Sequence, residues 1–310
     1  MEERKCAGFE NVPGVRELFT AEALTQLRRD PALSERIAVL RDREAKLVFQ
    51  MEKTGPLEVN RLCQEHIIQL LDEEDAAKIA VTPEDSGAFL QAVCLLSRNP
   101  FTAQLRRRVR EIARVYRLQA KNAMSLPQDV NGFRQLWELA MEGEPRWSED
   151  FPNSAFRDVR AVIMDAPLLK GNVLRVCSAP KNIHAELAHL LDLLSDNTLM
   201  PEIRAACSFA LFEWIHPFMD GNGHTGRMLM IAALGRLYQL PTVVCFSSEI
   251  VMGKSRAGKL LDLLRTGEGN LNDFCSGVLA RLEGAQTEAA KILRKPAGSR
   301  FDIERETGGR

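Results

Sequence analysis

The chain has 310 residues, and its 41 lysine and arginine residues nearly balance its 42 aspartate and glutamate residues, for a formal net charge of −1. This balance excludes a polycation that coats nucleic acid over its whole surface, although it allows a local basic patch. The charged start MEERKCAGFE lacks the apolar core of a secretory signal, and no uninterrupted apolar stretch approaches the roughly 18 residues of a membrane span. The length suits one large domain or two modest ones.

Seven cysteines are scattered along the chain, and none forms a Cys-x-x-Cys pair. Reduced thiols in a cytosolic protein are the simplest interpretation of this pattern. We therefore expect a cytoplasmic protein that does not bind a membrane. An effector that a pathogen delivers into a host cytosol would have the same cysteine pattern.

Helical periodicity dominates the first 130 residues. Apolar side chains recur at helical spacing in 33–53 and again in 57–71, with charged residues at other positions. The stretch SGAFLQAVCLLS (86–97) predicts a largely buried helix, and 101–123 predicts a long amphipathic helix. We interpret 1–130 as an N-terminal helical region.

Five arginines lie between Arg106 and Arg114, in the last of these helices. They are compatible with a solvated helix face or with a surface that binds DNA or RNA. No aromatic side chains are interleaved with the arginines, which favours the solvated face. We therefore do not expect a nucleic-acid partner, and retained binding at physiological salt would be the sign of one.

A strand–turn–strand unit is predicted near the middle of the chain. FRDVRAVIM (156–164) alternates loosely, and NVLRVCS (172–178) is rich in β-branched and apolar residues. DAPLLKGN (165–172) lies between them and has the composition of a turn. The unit is the only good β candidate in the sequence.

Helices are predicted again downstream of this unit. KNIHAELAHLLDLLSD (181–196) and PEIRAACSFALFEWI (201–215) have helical spacing, and RMLMIAALGRLYQL (227–240) is apolar almost all round. The last of these predicts a buried central helix that ends before Pro241. The segment after Leu293 lacks periodicity, and we place a C-terminal tail at 286–310.

The stretch HPFMDGNGHTGR (216–227) lies between two of these helices. Glycines let backbone N–H groups converge on an anion, and the N-terminus of the following helix adds further donors. Asp220 is placed to hold a Mg²⁺ that shields phosphate charge. Arg227 can bind an outer phosphate oxygen with its guanidinium, and His216 can accept a proton from an attacking hydroxyl.

Each of these features has an ordinary structural interpretation when taken alone. A single histidine at a helix end is usually a cap or a solvated residue, and Asp-Gly-Asn-Gly is usually only a turn. Their combination favours a phosphate-binding site. It differs from the usual P-loop because the Lys-Ser/Thr pair after the glycines is absent.

The same twelve residues resemble the signature of the Fic family, His-x-Phe-x-(Asp/Glu)-Gly-Asn-Gly-Arg-x-x-Arg. Every specified position matches except the first arginine, which is His224 here. The resemblance extends more loosely over about 136–282. It implies an all-α fold, a Fic-type helical bundle with one β-hairpin flap, in which 131–285 form the Fic domain.

By this resemblance the protein transfers AMP from ATP to a Ser, Thr or Tyr hydroxyl of a target protein. His216 is then the general base, and Asp220 holds Mg²⁺ between the phosphates. The resemblance implies a target-docking flap, which holds the target by strand addition. The nucleotide-binding residues are Gly221, Asn222, Gly223, His224, Thr225, Gly226 and Arg227, and the flap residues are Leu168, Leu169, Lys170, Gly171 and Asn172.

Many Fic proteins carry an inhibitory helix whose glutamate pairs with the second arginine of the signature. TGPLEVN offers Thr54 and Glu58 at the matching spacing, so about 54–72 are a candidate inhibitory helix that pairs Glu58 with Arg227. Val59 stands where the family has Gly or Asn. The alternative is that Thr54 caps a helix and Glu58 simply complements its dipole.

His224 leaves three interpretations open, because histidine cannot supply the fixed two-pronged contact of arginine. The first is that it is a working substitute in an AMP transferase. The second is that it marks a different phosphate-containing donor, and the third is that it marks a weakened enzyme. Ala257 and Gly258 stand where relatives often have an aromatic pair beside the nucleotide base. The rival functional class is a nucleotide-binding interaction module without transfer activity. A homodimer is compatible with all of these.

Overall fold

The computed structural model describes residues 19–96, 102–144, 154–164, 173–252 and 270–295. Within these ranges twelve α-helices and one two-stranded antiparallel hairpin are present, which confirms the predicted all-α class. None of the described helices is long and apolar enough to cross a membrane. The elements are α1 (Ala21–Arg29), α2 (Pro31–Thr54), α3 (Pro56–Ile68), α4 (Glu73–Ala76), α5 (Ser86–Cys94), α6 (Ala103–Ala120), α7 (Gly132–Ala140), β1 (Val162–Met164), β2 (Val173–Val176), α8 (Ile183–Ser195), α9 (Pro201–Ile215), α10 (Asn222–Leu234), α11 (Leu240–Met252) and α12 (Leu271–Leu293).

The boundary between α2 and α3 is a single glycine. Gly55 has φ of +84°, and its N–H donates to the carbonyl of Met51, which closes α2. A left-handed residue suits glycine, and Pro56 then starts α3 because a first-turn residue needs no N–H donor. Thr54 therefore belongs to α2, where its hydroxyl donates to the carbonyl of Gln50 at 2.9 Å. The alternative role of Thr54 as the cap of α3 is wrong.

Two arginines of α6 are buried in ion pairs and do not belong to a solvated face. Arg106 and Arg114 are 3% and 0% exposed. Arg106 pairs with the buried carboxylate of Asp75, and Arg114 binds Glu144 and donates to the carbonyl of Ala140 at 2.8 Å. The solvated-face interpretation is therefore wrong for these two residues. The sequence did not indicate their partners, because Asp75 and Glu144 lie far from them along the chain.

The hairpin has the predicted antiparallel pairing but shorter strands. Val162 pairs with Val176 and Ile163 with Arg175, and the register shifts between Ile163 and Met164. The segment between the strands, with all five predicted flap residues from Leu168 to Asn172, lies outside the described residues, and so do Ala257 and Gly258.

The core of the molecule is built around α9 and α10. Every residue of α9 from Ala205 to Ile215 is buried, and α9 packs against α8, α10 and α12. The helix boundaries near Ile215 agree with the prediction. The predicted helix over 227–240 is too long, because α10 ends at Leu234 and a turn at Gly235 leads into α11.

The C-terminal helix α12 extends further than predicted. Residues 286–293, which the sequence assigned to a tail, continue α12, and Gln286, Ala289 and Ile292 are buried. The side-chain amide of Gln286 donates to the carbonyl of Leu40 in α2 at 2.8 Å. The prediction of a tail from 286 is therefore wrong, because contacts with α2 hold this segment.

Candidate active site

The site begins where α9 ends. His216 caps α9 in a left-handed conformation, with φ of 51° and ψ of 61°, and its N–H donates to the carbonyl of Phe212 at 2.9 Å. A residue other than glycine pays roughly 1 kcal/mol for this conformation, so surrounding contacts must hold it. The turn directs the chain away from α9 and into the loop that precedes α10.

Hydrogen bonds from side chains of the motif and from Trp137 of α7 hold the loop in shape. The amide of Asn222 accepts from the N–H of Phe218 at 2.9 Å and donates to its carbonyl at 2.7 Å. The hydroxyl of Thr225 donates to the carbonyl of Gly221 at 2.9 Å, and the indole of Trp137 in α7 donates to that of Asp220 at 2.8 Å. Asn222 and Thr225, both predicted to bind nucleotide, thus use their side chains to shape the loop.

Two glycines of the loop region are required by close packing. Gly221 has φ of +79°, and a Cβ there would lie 2.7 Å from atoms of Trp137 and Met141. A Cβ at Gly226 would lie 2.8 Å from an oxygen of Glu213 in α9. The missing side chain at Gly221 lets Trp137 and Met141 approach the loop, and the missing side chain at Gly226 lets α9 approach α10.

A buried carboxylate lies between the two basic side chains of the motif, Arg227 and His224. Glu111 of α6 is 2% exposed. Its two oxygens accept from Nε and Nη2 of Arg227 at 2.6 and 2.8 Å. Nδ1 of His224 lies 2.8 Å from the second of these oxygens. The two basic side chains of the loop motif therefore converge on one carboxylate.

The charges around Glu111 keep it ionised despite its burial. Burial raises the pKa of the Glu111 carboxyl, but Arg227 and His224 outweigh this effect and hold that pKa well below its ordinary value. Burial lowers the pKa of Arg227, while the neighbouring Glu111 and Glu213 raise it above its ordinary value. The cluster is thus an ion pair shared between α6 and α10.

The predicted pair between Glu58 and Arg227 is wrong. Glu58 lies in α3 and accepts from Nε of Arg61 at 2.7 Å, one turn further along the same helix. Arg227 pairs instead with Glu111 of α6. Sequence reasoning missed Glu111 because Arg107 and Ile112 stand where the family pattern has Ser or Thr and Gly or Asn.

A second buried carboxylate, Glu213 of α9, also acts on Arg227. It is 5% exposed, and one of its oxygens is 3.9 Å from Nδ1 of His216. A negative charge at this distance stabilises a protonated imidazole. Its spacing, three residues before His216 on a helix, is the signal that could have identified it from the sequence.

Asp220 is the candidate metal ligand. One of its carboxylate oxygens accepts from the N–H of Gly221 at 2.7 Å, and the residue is half-buried at the entrance of the loop. No group of three potential metal-binding side chains occurs in the described parts of the chain. Magnesium ions bound with nucleotides commonly use one or two carboxylates plus phosphate oxygens and water. A single carboxylate beside a glycine-containing loop that leads into a helix N-terminus fits that pattern.

Comparisons with known proteins agree with this architecture. Residues 129–234, which include α7 to α10, match the model of the Fic/DOC family. A Fic family protein of known structure from Desulfovibrio desulfuricans G20 is similar over 87% of this chain and 77% of its own, with 18% identity and a TM-score of 0.55. A solved structure of Fic-1 from C. elegans is similar over 87% of this chain and 81% of its own, with 16% identity and a TM-score of 0.46. No curated protein matches the sequence.

Proposed function

Because the chain carries a Fic/DOC domain at residues 129–234, we propose that it is a protein adenylyltransferase. It transfers AMP from ATP to a Ser, Thr or Tyr hydroxyl of a target protein, with Mg²⁺, and Glu111 keeps it inactive. Domains of this family commonly transfer a nucleoside monophosphate to proteins. ATP, Mg²⁺ and the inhibitory role are the parts of the proposal that go beyond the family.

The observation that carries the proposal is the Glu111 carboxylate between Arg227 and His224. A carboxylate and a phosphate offer a guanidinium the same pair of oxygen acceptors. The same helix α10 begins at Asn222, and the first backbone N–H groups of a helix favour negative charge. The arrangement supports a site for the outer phosphates of ATP that Glu111 fills while the enzyme is inactive.

The proposed reaction uses three further residues. His216 takes the proton from the target hydroxyl, whose oxygen attacks the α-phosphorus of ATP. The bond between that phosphorus and the oxygen that bridges to the β-phosphorus breaks, and pyrophosphate leaves. Glu213 stabilises the imidazolium that forms on His216. Asp220 would hold a Mg²⁺, which would neutralise phosphate charge.

His224 acts in this account as a second phosphate ligand. Its 2.8 Å approach to Glu111 places it against the same anion as Arg227, although it offers one nitrogen rather than two. This contact supports the interpretation of His224 as a working substitute for the family's arginine. In a weakened enzyme we would not expect both basic side chains to contact one carboxylate.

The proposal is tested by incubating the protein with Mg²⁺ and ATP labelled on its α-phosphate. Glu111→Ala keeps the helix propensity of α6 and removes the carboxylate, so this variant should label itself faster than wild type. The double variant Glu111→Ala with His216→Ala should label itself roughly 1,000-fold more slowly than Glu111→Ala. Equal labelling of the single and double variants would sink the proposal.

The same assay separates the alternatives. A nucleotide-binding module without transfer activity gives ATP-dependent thermal stabilisation that survives His216→Ala, with no labelled protein in any variant. A transferase with another donor gives no label from ATP, but gives a mass increase when Glu111→Ala is incubated with CTP, GTP, UTP or CDP-choline.

A further inference from the structure

Arg157 is a buried arginine that joins two parts of the molecule through backbone carbonyls. It is 3% exposed. Toward α9, its Nε donates to the carbonyl of His216 at 2.7 Å and its Nη2 to that of Ile215 at 3.1 Å. Toward the hairpin, its Nη1 donates to the carbonyl of Val159 at 2.7 Å and its Nη2 to that of Ser178. One guanidinium therefore links the end of α9 to the residues just before β1 and just after β2. We call these residues, with the two strands, the hairpin stem.

The contacts on α9 explain how His216 keeps its left-handed conformation. The last carbonyls of a helix have no partner within it, and a cation there is favoured by the helix dipole. Arg157 satisfies the carbonyls of Ile215 and His216 at once. Burial lowers the pKa of Arg157, which indicates that its charge is held away from water in this role.

The backbone beside Arg157 strengthens the same connection. The N–H of Arg157 donates to the carbonyl of Pro217 at 2.9 Å, and Phe156 forms an antiparallel bridge with Phe218. The rings of Phe156 and Phe218 lie 5.4 Å apart. On the hairpin side, the N–H of Cys177 donates to the carbonyl of Ala161 at 3.0 Å. The loop after His216 and the hairpin stem are thus one hydrogen-bonded unit with Arg157 at its centre.

We propose that Arg157 is a positioning residue that fixes the catalytic base His216 relative to the hairpin stem. This inference rests on the proposed function, because it assumes that His216 acts as the base. Arg157 touches neither the nucleotide-binding side chains nor Glu111 among the described contacts, and it acts on the reaction only through His216. Its loss therefore affects the chemical step and leaves ATP binding intact.

The test uses Glu111→Ala, which lacks the proposed inhibitory carboxylate, as the parent protein. Arg157→Lys and Arg106→Lys are each added to this parent and compared. Both arginines are 3% exposed, and Arg106 pairs with Asp75 in α4, so the control loses a buried guanidinium outside the hairpin unit. We expect Arg157→Lys to lower the maximal rate of self-labelling by roughly 30-fold or more, since misplacement by about 1 Å can reduce a rate by about 100-fold. The ATP concentration for half-maximal rate should change by less than about twofold, and Arg106→Lys should retain the parent's rate.

Equal rate losses in the two lysine variants would overturn the inference, and so would a raised ATP requirement at an unchanged maximal rate. A parent that forms no covalent product would refute the proposed function instead, so the two failures are distinguishable. Chemical rescue provides a second readout. Arg157→Ala should regain rate with millimolar guanidinium and not with ammonium, because only the planar cation can reach several carbonyls at once. Absence of that rescue in folded Arg157→Ala would also count against Arg157 as a positioning residue.

Discussion

The helices α3 and α6 each present a glutamate close to arginines, yet the two glutamates have different surroundings. Glu58 of α3 has a side chain that is 26% exposed and pairs with Arg61 of its own helix. Glu111 of α6 has a side chain that is 3% exposed and pairs with Arg227, 116 residues further along the chain. Helix α6 packs against α10, which carries Arg227. The spacing of residues in the sequence pointed to Glu58 as the partner of Arg227, whereas helix packing in the structure places Glu111 there.

The largest expected effect concerns His216, the proposed general base. In the Glu111→Ala background, His216→Ala should lower the self-labelling rate by roughly 1,000-fold, which is about 4 kcal/mol of transition-state stabilisation. The rate at saturating ATP is the quantity to measure. A loss of less than about tenfold would mean that another group accepts the proton.

The two glutamates should also differ in their effect on stability. Glu111→Gln removes the negative charge that Arg227 and His224 share and should lower the free energy of unfolding by about 1–3 kcal/mol. Glu58→Gln should lower it by less than about 1 kcal/mol, because partly exposed pairs contribute little. Urea unfolding of both variants beside wild type measures the difference. Similar losses in the two variants would remove the distinction drawn between α3 and α6.

The stability difference between wild type and Glu111→Gln should depend on pH. Arg227 and His224 hold the folded-state pKa of Glu111 well below its ordinary value, against the effect of burial. The stabilisation by the carboxylate is therefore complete above the unfolded-state pKa of about 4.3 and is lost as the pH falls through the folded-state pKa. Unfolding curves should converge as the pH is lowered below about 4. A gap that widens on acidification would show that Glu111 is protonated at neutral pH.

The smallest effect concerns His224. In the Glu111→Ala background, His224→Ala should raise the ATP concentration for half-maximal labelling by up to about tenfold, as expected for the loss of one charge-assisted hydrogen bond. His224→Arg should lower that concentration or leave it unchanged. An increase with His224→Arg would indicate that the histidine selects a donor other than ATP.

Local signals in the sequence carried most of the fold and the loop. The boundary of α9 at Ile215, the burial of α9 and α10, and the hairpin all follow from periodicity and turn residues that lie close together in the chain. The tail assignment failed at Gln286 because its partner, Leu40, lies 246 residues away. Breaks such as Gly235 fall inside apolar stretches, where periodicity alone cannot locate a helix end.

The long-range contacts of the site could not be deduced in the same way. Glu111 and Arg157 both lie in stretches rich in arginine or alternating residues, with no motif of their own. Their roles depend on which helix end or cation they meet in the folded chain. His216 and Asp220 stand out as candidates in the sequence because a loop of glycines between two helices has few ordinary explanations when a histidine and a carboxylate accompany it.

The central claim, that Glu111 and not Glu58 keeps the site inactive, is tested most directly by one paired measurement. Glu111→Ala and Glu58→Ala are incubated with Mg²⁺ and labelled ATP, and the covalent label on each protein is followed against wild type. The account predicts a rise in labelling for Glu111→Ala and the wild-type level for Glu58→Ala. A rise for Glu58→Ala alone, or for both variants equally, would contradict it.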